Sequence, residues 1–332
     1  MHMADALIAP AVAATMFAAS GITTAYSMKE VKQENDPRKI PTMGVMSAFV
    51  FATQMINFTI PGTGSSGHLC GGLLLSIMLG PYAGFLSMVS VLLIQCLLFA
   101  DGGLLALGAN IWNMAFYGCF VGYLLIYCPI TKKKLNNTRI MAASILGSVI
   151  SLQLGAFSVT IQTLLSGITA LSFGQFLALM QPIHLAIGTV EGLITGAVII
   201  FVYNTRPEIL RTDTLKSRMS FKQVIAILGV SVVIIGGGLS LVASGNPDGL
   251  EWSIEKVTGS TEIEAQKEYS SAVDTAAAIQ EKTALLPDYA FRDSESPAGT
   301  SFSGVAGAFI VAGLTIGLSL LFKLFRKKDK TT

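Results

Sequence analysis

Nine stretches of this chain are apolar enough, and most are long enough, to lie across a hydrocarbon layer, which leaves few folds open to it. A bilayer core is ~30 Å thick and an α-helix needs about 20 apolar residues to cross it. The stretches fall at 6–27, 42–60, 66–80, 82–100, 108–128, 140–166, 173–203, 222–243 and 303–324. In lipid, backbone N–H and C=O groups must pair within the protein, so the expected fold is all-α, a polytopic membrane helix bundle. Charged residues make up 13% of the 332, about half the share of a soluble globular protein. The formal net charge of +2 gives no reason to expect a nucleic-acid partner; the partner this composition requires is membrane lipid.

The positions of the charges orient the bundle. Of the 22 Lys and Arg, 18 fall in four clusters: Lys29 to Lys39, Lys132 to Arg139, Arg206 to Lys222 and Lys323 to Lys330. Basic residues collect on the cytoplasmic side. Placing all four clusters there requires an even number of crossings between residues 40 and 130, so the short stretch 66–80 has to count as a span. The N-terminus is then outside and the C-terminus cytoplasmic. The expected organisation is a seven-span core over 1–205, a basic cytoplasmic linker over 206–222, and a second part over 223–332 in which two spans flank an extracytoplasmic loop, 244–302. That loop holds 11 of the 20 Asp and Glu. Its middle, 260–285, is polar and Ala-rich and reads as disordered or as a solvated helix. The acidic loop either stays in solution by its charge or attracts cations and docks on the outer mouth.

The start, M-H-M-A-D-A-L-I, has no basic n-region and no cleavage site, so Met1 is expected to be the mature terminus. The sequence contains three histidines, His2, His68 and His184, and on this topology none lies in a cytoplasmic loop. A free amine followed directly by His offers one metal ion three nitrogens: the Met1 amine, the deprotonated His2 amide and the His2 ring. Their fused chelate rings favour a plane, and His68 lies on the correct side to complete an N4 square. Such a set suits Ni(II) or Cu(II), whereas Zn prefers a tetrahedron and Mg or Ca prefer oxygen. The preceding run, I-P-G-T-G-S-S-G-H-L-C-G-G, carries Ser65 and Ser66 and permits irregular backbone, tolerated at membrane depth only where it is buried or lines a cavity. It lacks the Lys-Ser/Thr of a phosphate-binding loop, so ATP hydrolysis would belong to another subunit.

Among the spans, Glu191 is the one clear acid, two turns beyond His184. It reads as a partner of the site, a proton relay, or a buried acid paired with amides. Asn110 and Asn113 read as interhelical hydrogen-bonding groups or as supports of the site. The four cysteines lack C-x-x-C spacing and read as packing. No H-E-x-x-H motif suggests a membrane metalloenzyme, and a proton-coupled permease would need more acids than Glu191.

The M-H start with Asp5, G-S-S-G-H-L-C-G-G-L-L, G-A-N-I-W-N-M-A and H-L-A-I-G-T-V-E-G-L-I-T-G together resemble the CbiM/NikM substrate-binding subunits of energy-coupling-factor transporters for nickel or cobalt. S-G-N-P-D-G-L-E-W resembles the PDGLE segment of the accessory N-subunit, so the chain looks like a fusion of the two. Family members often carry a Gly where this chain has Ala6 in Met3-Ala4-Asp5-Ala6. The resemblance implies metal held by Met1, His2 and His68. It places Asn110, Asn113, His184 and Glu191 at motif positions that orient the terminal segment, with Ser65 and Ser66 beside them. It implies a transport subunit, not an enzyme, working with a T/Q-type coupling subunit and two ABC ATPases. Nickel is the expected cargo, with cobalt, or an organic vitamin, as alternatives. Ala9, Ala13, Ala14 and Ala18 give small-xxx-small spacings on which the coupling subunit would dock, or which serve packing within the bundle.

Overall fold

The computed structural model describes residues 1–33, 38–210, 218–292, 294 and 296–328. Arg211, Lys216, Asp293, Glu295 and Lys330 lie outside these. The helices are α1 (Pro10–Gln33), α2 (Lys39–Gln54), α3 (Gly72–Leu79), α4 (Pro81–Phe99), α5 (Leu107–Lys132), α6 (Asn137–Leu165), α7 (Phe173–Thr205), α8 (Phe221–Val242), α9 (Gly249–Thr258), α10 (Ser270–Thr283) and α11 (Pro297–Lys328). A hairpin, β1 (Phe58–Ile60) with β2 (Ser65–Gly67), pairs Phe58 with Gly67 and Ile60 with Ser65.

Local chemistry sets the boundaries. Asn136 caps α6 by accepting from Arg139 N, and Ser220 with Gln223 forms a reciprocal capping box at the start of α8. The middle of α5, Trp112–Tyr127, is wound as a wider π-helix. α6 and α7 form the most extensive helix pair, drawn together because Gly188 and Gly192 bring α7 onto the α6 backbone at Val149 and Ile145.

Six helices, α4 to α8 and α11, are long and apolar enough to cross a membrane among the described residues, so this is a multi-pass helical membrane protein. The other three expected crossings differ in form. α1 is rich in Ala, Ser and Thr, α2 has 16 residues and α3 only eight. Eight residues span about 12 Å, so the stretch read as a helix over 66–80 is half strand and irregular backbone. Likewise 42–60 is helical only to Gln54 before β1 begins. The cause is the glycine-rich run. Gly71 has φ 82°, which stops any helix from extending back toward His68.

The basic clusters gather at one end. Arg38, Lys39 and Arg206 line one cavity with Leu79 at the end of α3. Tyr203 bonds the Leu135 carbonyl between the Lys132 and Arg139 positions. α11 runs along α2 so that Ser319 reaches Met43. At the opposite end the acidic segment folds as a cap built from α9 and α10. The Ala-rich middle is thus largely the helix Ser270–Thr283, whose buried Gln280 donates to the carbonyls of Cys96 and Gly102.

In α1, Ala13 is buried, so the Ala9/Ala13 spacing serves packing, while Ala14 and Ala18 remain on the exposed face.

Candidate metal site

The first eight residues enter the bundle as an irregular strand and a short turn, with Met1, Met3, Leu7 and Ile8 buried in the core. Polar groups on the turn after α4 and on α5 fix that segment. Met3 N donates to Asn110 Oδ1 at 2.7 Å and Met3 O accepts from Asn110 Nδ2 at 3.2 Å, so one amide side chain satisfies both backbone atoms of residue 3. Met3 O also accepts from Gly103 N, and Asp5 accepts from Ala106 N. Gly103 is required, because a Cβ there would fall on the Asp5 carboxylate. Asn113 sits one turn further along α5 and exchanges two hydrogen bonds with Gln162 of α6, at 2.7 and 3.0 Å. Asn110 therefore holds the terminal segment, and Asn113 joins helices beneath it while also donating to Met3 Sδ at 3.5 Å.

This support presents the terminal amine of Met1 3.3 Å from His68 Nε2. The rings of His2 and His68 stack with centroids 5.3 Å apart. His68 Nδ1 lies 3.0 Å from the Leu69 carbonyl, which leaves Nε2 as the nitrogen facing the terminus. The next two backbone donors, Cys70 N and Gly71 N, go to Glu191 at 2.8 and 3.1 Å. Glu191 thus meets two N–H groups that the start of α3 leaves without helical partners. Its buried carboxylate is paired with amides and anchors the His68 strand. His184 bonds its own helix through Met180 O and lines, with Met1, His68, Cys70 and Asp248, a cavity of about 10 Å³. That is room for about one water-sized particle.

Two carboxylates complete the site, and sequence reading did not single out either. Asp248, in the N-P-D-G-L-E run, accepts from the Met1 amine at 2.6 Å and lies 3.9 Å from His68 Nε2. Asp101 is 3.0 Å from His2 Nδ1, and Gln95 Oε1 is 3.3 Å from His2 Nε2. Asp248 also caps α9: its other oxygen accepts from Leu250 N and Glu251 N, while Glu251 returns a bond to Asp248 N. D-x-x-E is legible as a capping box. Its second oxygen bonds a group 247 positions away, which no local pattern reveals. Gly249 permits the approach, since a Cβ there would meet Ile187 and His184 at 2.9 and 3.1 Å. Ser65 and Ser66 serve the same docking: Ser66 N donates to Pro247 O at 2.8 Å and its hydroxyl to Asn246 O at 2.8 Å. Neither hydroxyl turns toward Met1 or His68.

Burial works against charge on the Met1 amine, but the Asp248 carboxylate, with smaller contributions from Cys70 and Asp101, outweighs it and holds the amine's pKa above its ordinary 8.0. Burial would likewise raise Asp248, yet the terminal ammonium and His68 pull it below its ordinary 3.8. The raised amine stabilises the fold below its unfolded value, and the depressed acid does so above its own. The pair therefore contributes in full from about pH 4 to 8. Docking of the 246–251 segment, followed by amide exchange, should stay level from about pH 6.5, below which histidines in the unfolded chain take up protons, to about pH 8, and loosen once pH passes the amine's raised value. Replacing Asp248 by Asn leaves a buried ammonium without its partner and is expected to cost the metal-free chain about 3 kcal/mol in unfolding experiments.

Among the described residues no three His, Cys, Asp or Glu side chains form a metal cage. What the fold brings together is the terminal amine, the imidazoles of His2 and His68, and the carboxylates of Asp248 and Asp101. A model of the CbiM family, the cobalt uptake substrate-specific transmembrane region, matches residues 2–209. This chain belongs to the CbiM family. A PDGLE domain matches residues 222–324. Over 96% of this chain and 98% of its own length, a protein assigned as the fused nickel transport protein NikMN of Archaeoglobus fulgidus is 32% identical. The fused nickel transport protein NikMN of Rhodobacter capsulatus is 27% identical over 96% of this chain and 97% of its own length. A crystal structure of a truncated transition metal transporter aligns with a TM-score of 0.55 at 34% identity, covering 61% of this chain and 99% of that one. The chain is thus a membrane protein of a metal-transport family whose named relatives are transport proteins. Within this family setting, Asn110→Ala, which removes both bonds to Met3, is expected to weaken metal affinity about 10- to 100-fold, the usual cost of losing a group that orients a ligand. Titration calorimetry against nickel would measure it.

Proposed function

We propose that this chain is the substrate-binding membrane component of an energy-coupling-factor importer for nickel. The observation that carries the reading is the meeting of the Met1 amine with His68 Nε2, at 3.3 Å, beside a His2 ring stacked on His68. A metal with bonds to nitrogen of about 2 Å sets neighbouring ligands of a square about 2.8 Å apart, so only a small closure is needed at that edge. The His2 amide and His2 Nδ1 supply the other two corners once the ring turns from Asp101. Nickel capture then exchanges two contacts, Met1 with Asp248 and His2 with Asp101, for four nitrogen bonds, and releases one proton from the Met1 ammonium and one from the His2 amide. Four planar nitrogens favour Ni(II), and the relatives that share both parts of the chain carry nickel transport in their names. Cobalt is the second reading, favoured by the description of the family itself.

In this reading residues 1–205 bind the metal, 206–222 link the parts on the cytoplasmic side, and the loop of 223–332 covers the site from outside. The basic end faces the cytoplasm and Met1 the exterior. Delivery is by reorientation against a T/Q-type coupling subunit, which docks on the exposed Ala14 and Ala18 face of α1 and is driven by two ABC ATPases. Cells lacking nickel uptake, given this chain with those three subunits, should accumulate radioactive nickel only while the ATPases are active. Accumulation of an organic vitamin in place of metal would overturn the reading.

A further inference from the structure

Two buried glutamines join the His2 ring to the strand that carries His68. Gln54, at the end of α2, and Gln95, near the end of α4, are 5% and 1% exposed. Gln54 Nε2 donates to the Cys70 carbonyl at 2.7 Å, and Gln95 Nε2 donates to Gln54 Oε1 at 2.9 Å. Gln95 Oε1 then lies 3.3 Å from His2 Nε2. Burying two carboxamides is costly unless their groups are paired, and here the pairing ends on an imidazole of the metal site.

This chain of bonds has one direction. A backbone carbonyl can only accept, so Gln54 must present Nε2 to Cys70 and therefore Oε1 to Gln95. Gln95 must in turn present Nε2 to Gln54. The other hydrogen of Gln95 Nε2 goes to the Tyr289 hydroxyl at 3.3 Å, and that hydroxyl donates to Asp101 Oδ2. Tyr289 is fixed by stacking on Phe99, with ring centroids 4.6 Å apart. Turning the Gln95 amide over would set its oxygen against Gln54 Oε1, acceptor on acceptor. The atom that faces His2 Nε2 is therefore held as an acceptor.

An acceptor at Nε2 decides the chemistry at Nδ1. An imidazole that binds metal through one nitrogen carries its proton on the other, and the group that accepts this proton fixes the ring's tautomer and orientation. The chelate ring closed with the His2 amide needs Nδ1, because Nε2 is on the far side of the imidazole from the backbone. In the metal-free chain Asp101, 3.0 Å from Nδ1, competes for the opposite tautomer. Given the nickel reading of this site, we propose that Gln95, oriented by Gln54 and Tyr289, is the positioning residue for His2. It accepts the Nε2 proton when metal is bound and leaves Nδ1 to the metal. Because the glutamine pair is anchored on Cys70, two residues beyond His68, it also sets the His2 ring in register with the second imidazole.

The test uses the full-length chain with isotopically labelled histidine. Only three histidines contribute, and planar four-coordinate Ni(II) is diamagnetic, so the ring nitrogens of the loaded site can be followed by NMR. Wild type should show His2 protonated at Nε2, with that hydrogen slow to exchange, and Nδ1 shifted by the metal. Gln95→Met, which keeps the side-chain length without the acceptor, should lose the slow exchange and weaken nickel binding about 10- to 100-fold. Gln54→Leu should weaken it less, and the double variant should lose far less than the product of the two factors, because Gln54 acts through Gln95. Binding of nickel through His2 Nε2, fast exchange of the Nε2 hydrogen in wild type, unchanged affinity in Gln95→Met, or fully additive losses would each overturn the proposal. The wild-type measurement decides by itself if a variant does not fold. Failure of the wild type to bind nickel would overturn the function proposed for the site and this assignment with it, a result distinct from bound nickel whose His2 ring ignores Gln95.

Discussion

Adding an N-terminal tag of several residues, none of them His, ahead of Met1 is expected to weaken nickel binding by more than about 100-fold, beyond what loss of an orienting partner costs. The extension turns the terminal amine into an amide and moves the free amine away from His2. The five-membered chelate ring between the Met1 amine and the His2 amide is then lost, and with it two of the four proposed donors. Nor is there space to compensate. Met1 is 5% exposed, and the cavity it shares with His68 and Asp248 holds about 10 Å³. An added residue must displace the 246–249 segment or pull Met1 out of the core. Titration calorimetry on the native and extended chains separates the outcomes: one nickel per native chain and none measurable in the extended one. Unchanged binding in the extended chain would remove the terminal amine from the site.

His68→Ala is expected to cost a similar factor in nickel affinity by a different route. It deletes the fourth corner of the square and leaves Met1 and His2 in place, because the terminal segment is held by Asn110 and Asp5. The residual three-nitrogen chelate has an open position, so added imidazole should restore a measurable part of the affinity. Rescue by imidazole distinguishes a lost ligand from a collapsed strand. A variant that binds nickel as the wild type does would refute the role of His68.

How much of this was legible in the sequence depends on the range of the interaction. Membrane class and the single basic end follow from hydropathy and charge position, which need no tertiary information. The pairing of a terminal amine with His2 is a property of adjacent residues, and His68 was reachable because histidine is so scarce in this chain. The stretch 66–80 misled because Leu73 to Leu79 is apolar in helical fashion, while Gly71 and the hairpin ahead of it convert the first half to irregular backbone. Glu191 was visible as an anomaly but not as the partner of Cys70 N and Gly71 N, since those donors are orphaned only when α3 starts where it does. Asp248 was hidden further. Its capping box accounts for one oxygen locally, and the other meets Met1 only because Ser66 and Gly249 let the second part of the chain dock on the first.

X-ray absorption at the nickel edge, on the loaded full-length chain, tests the central claim most directly. The account predicts a planar shell of four nitrogens, two of them imidazole, with no carboxylate oxygen, since Asp248 and Asp101 are released on capture. A six-coordinate shell, or one containing carboxylate oxygen or sulfur, would contradict it.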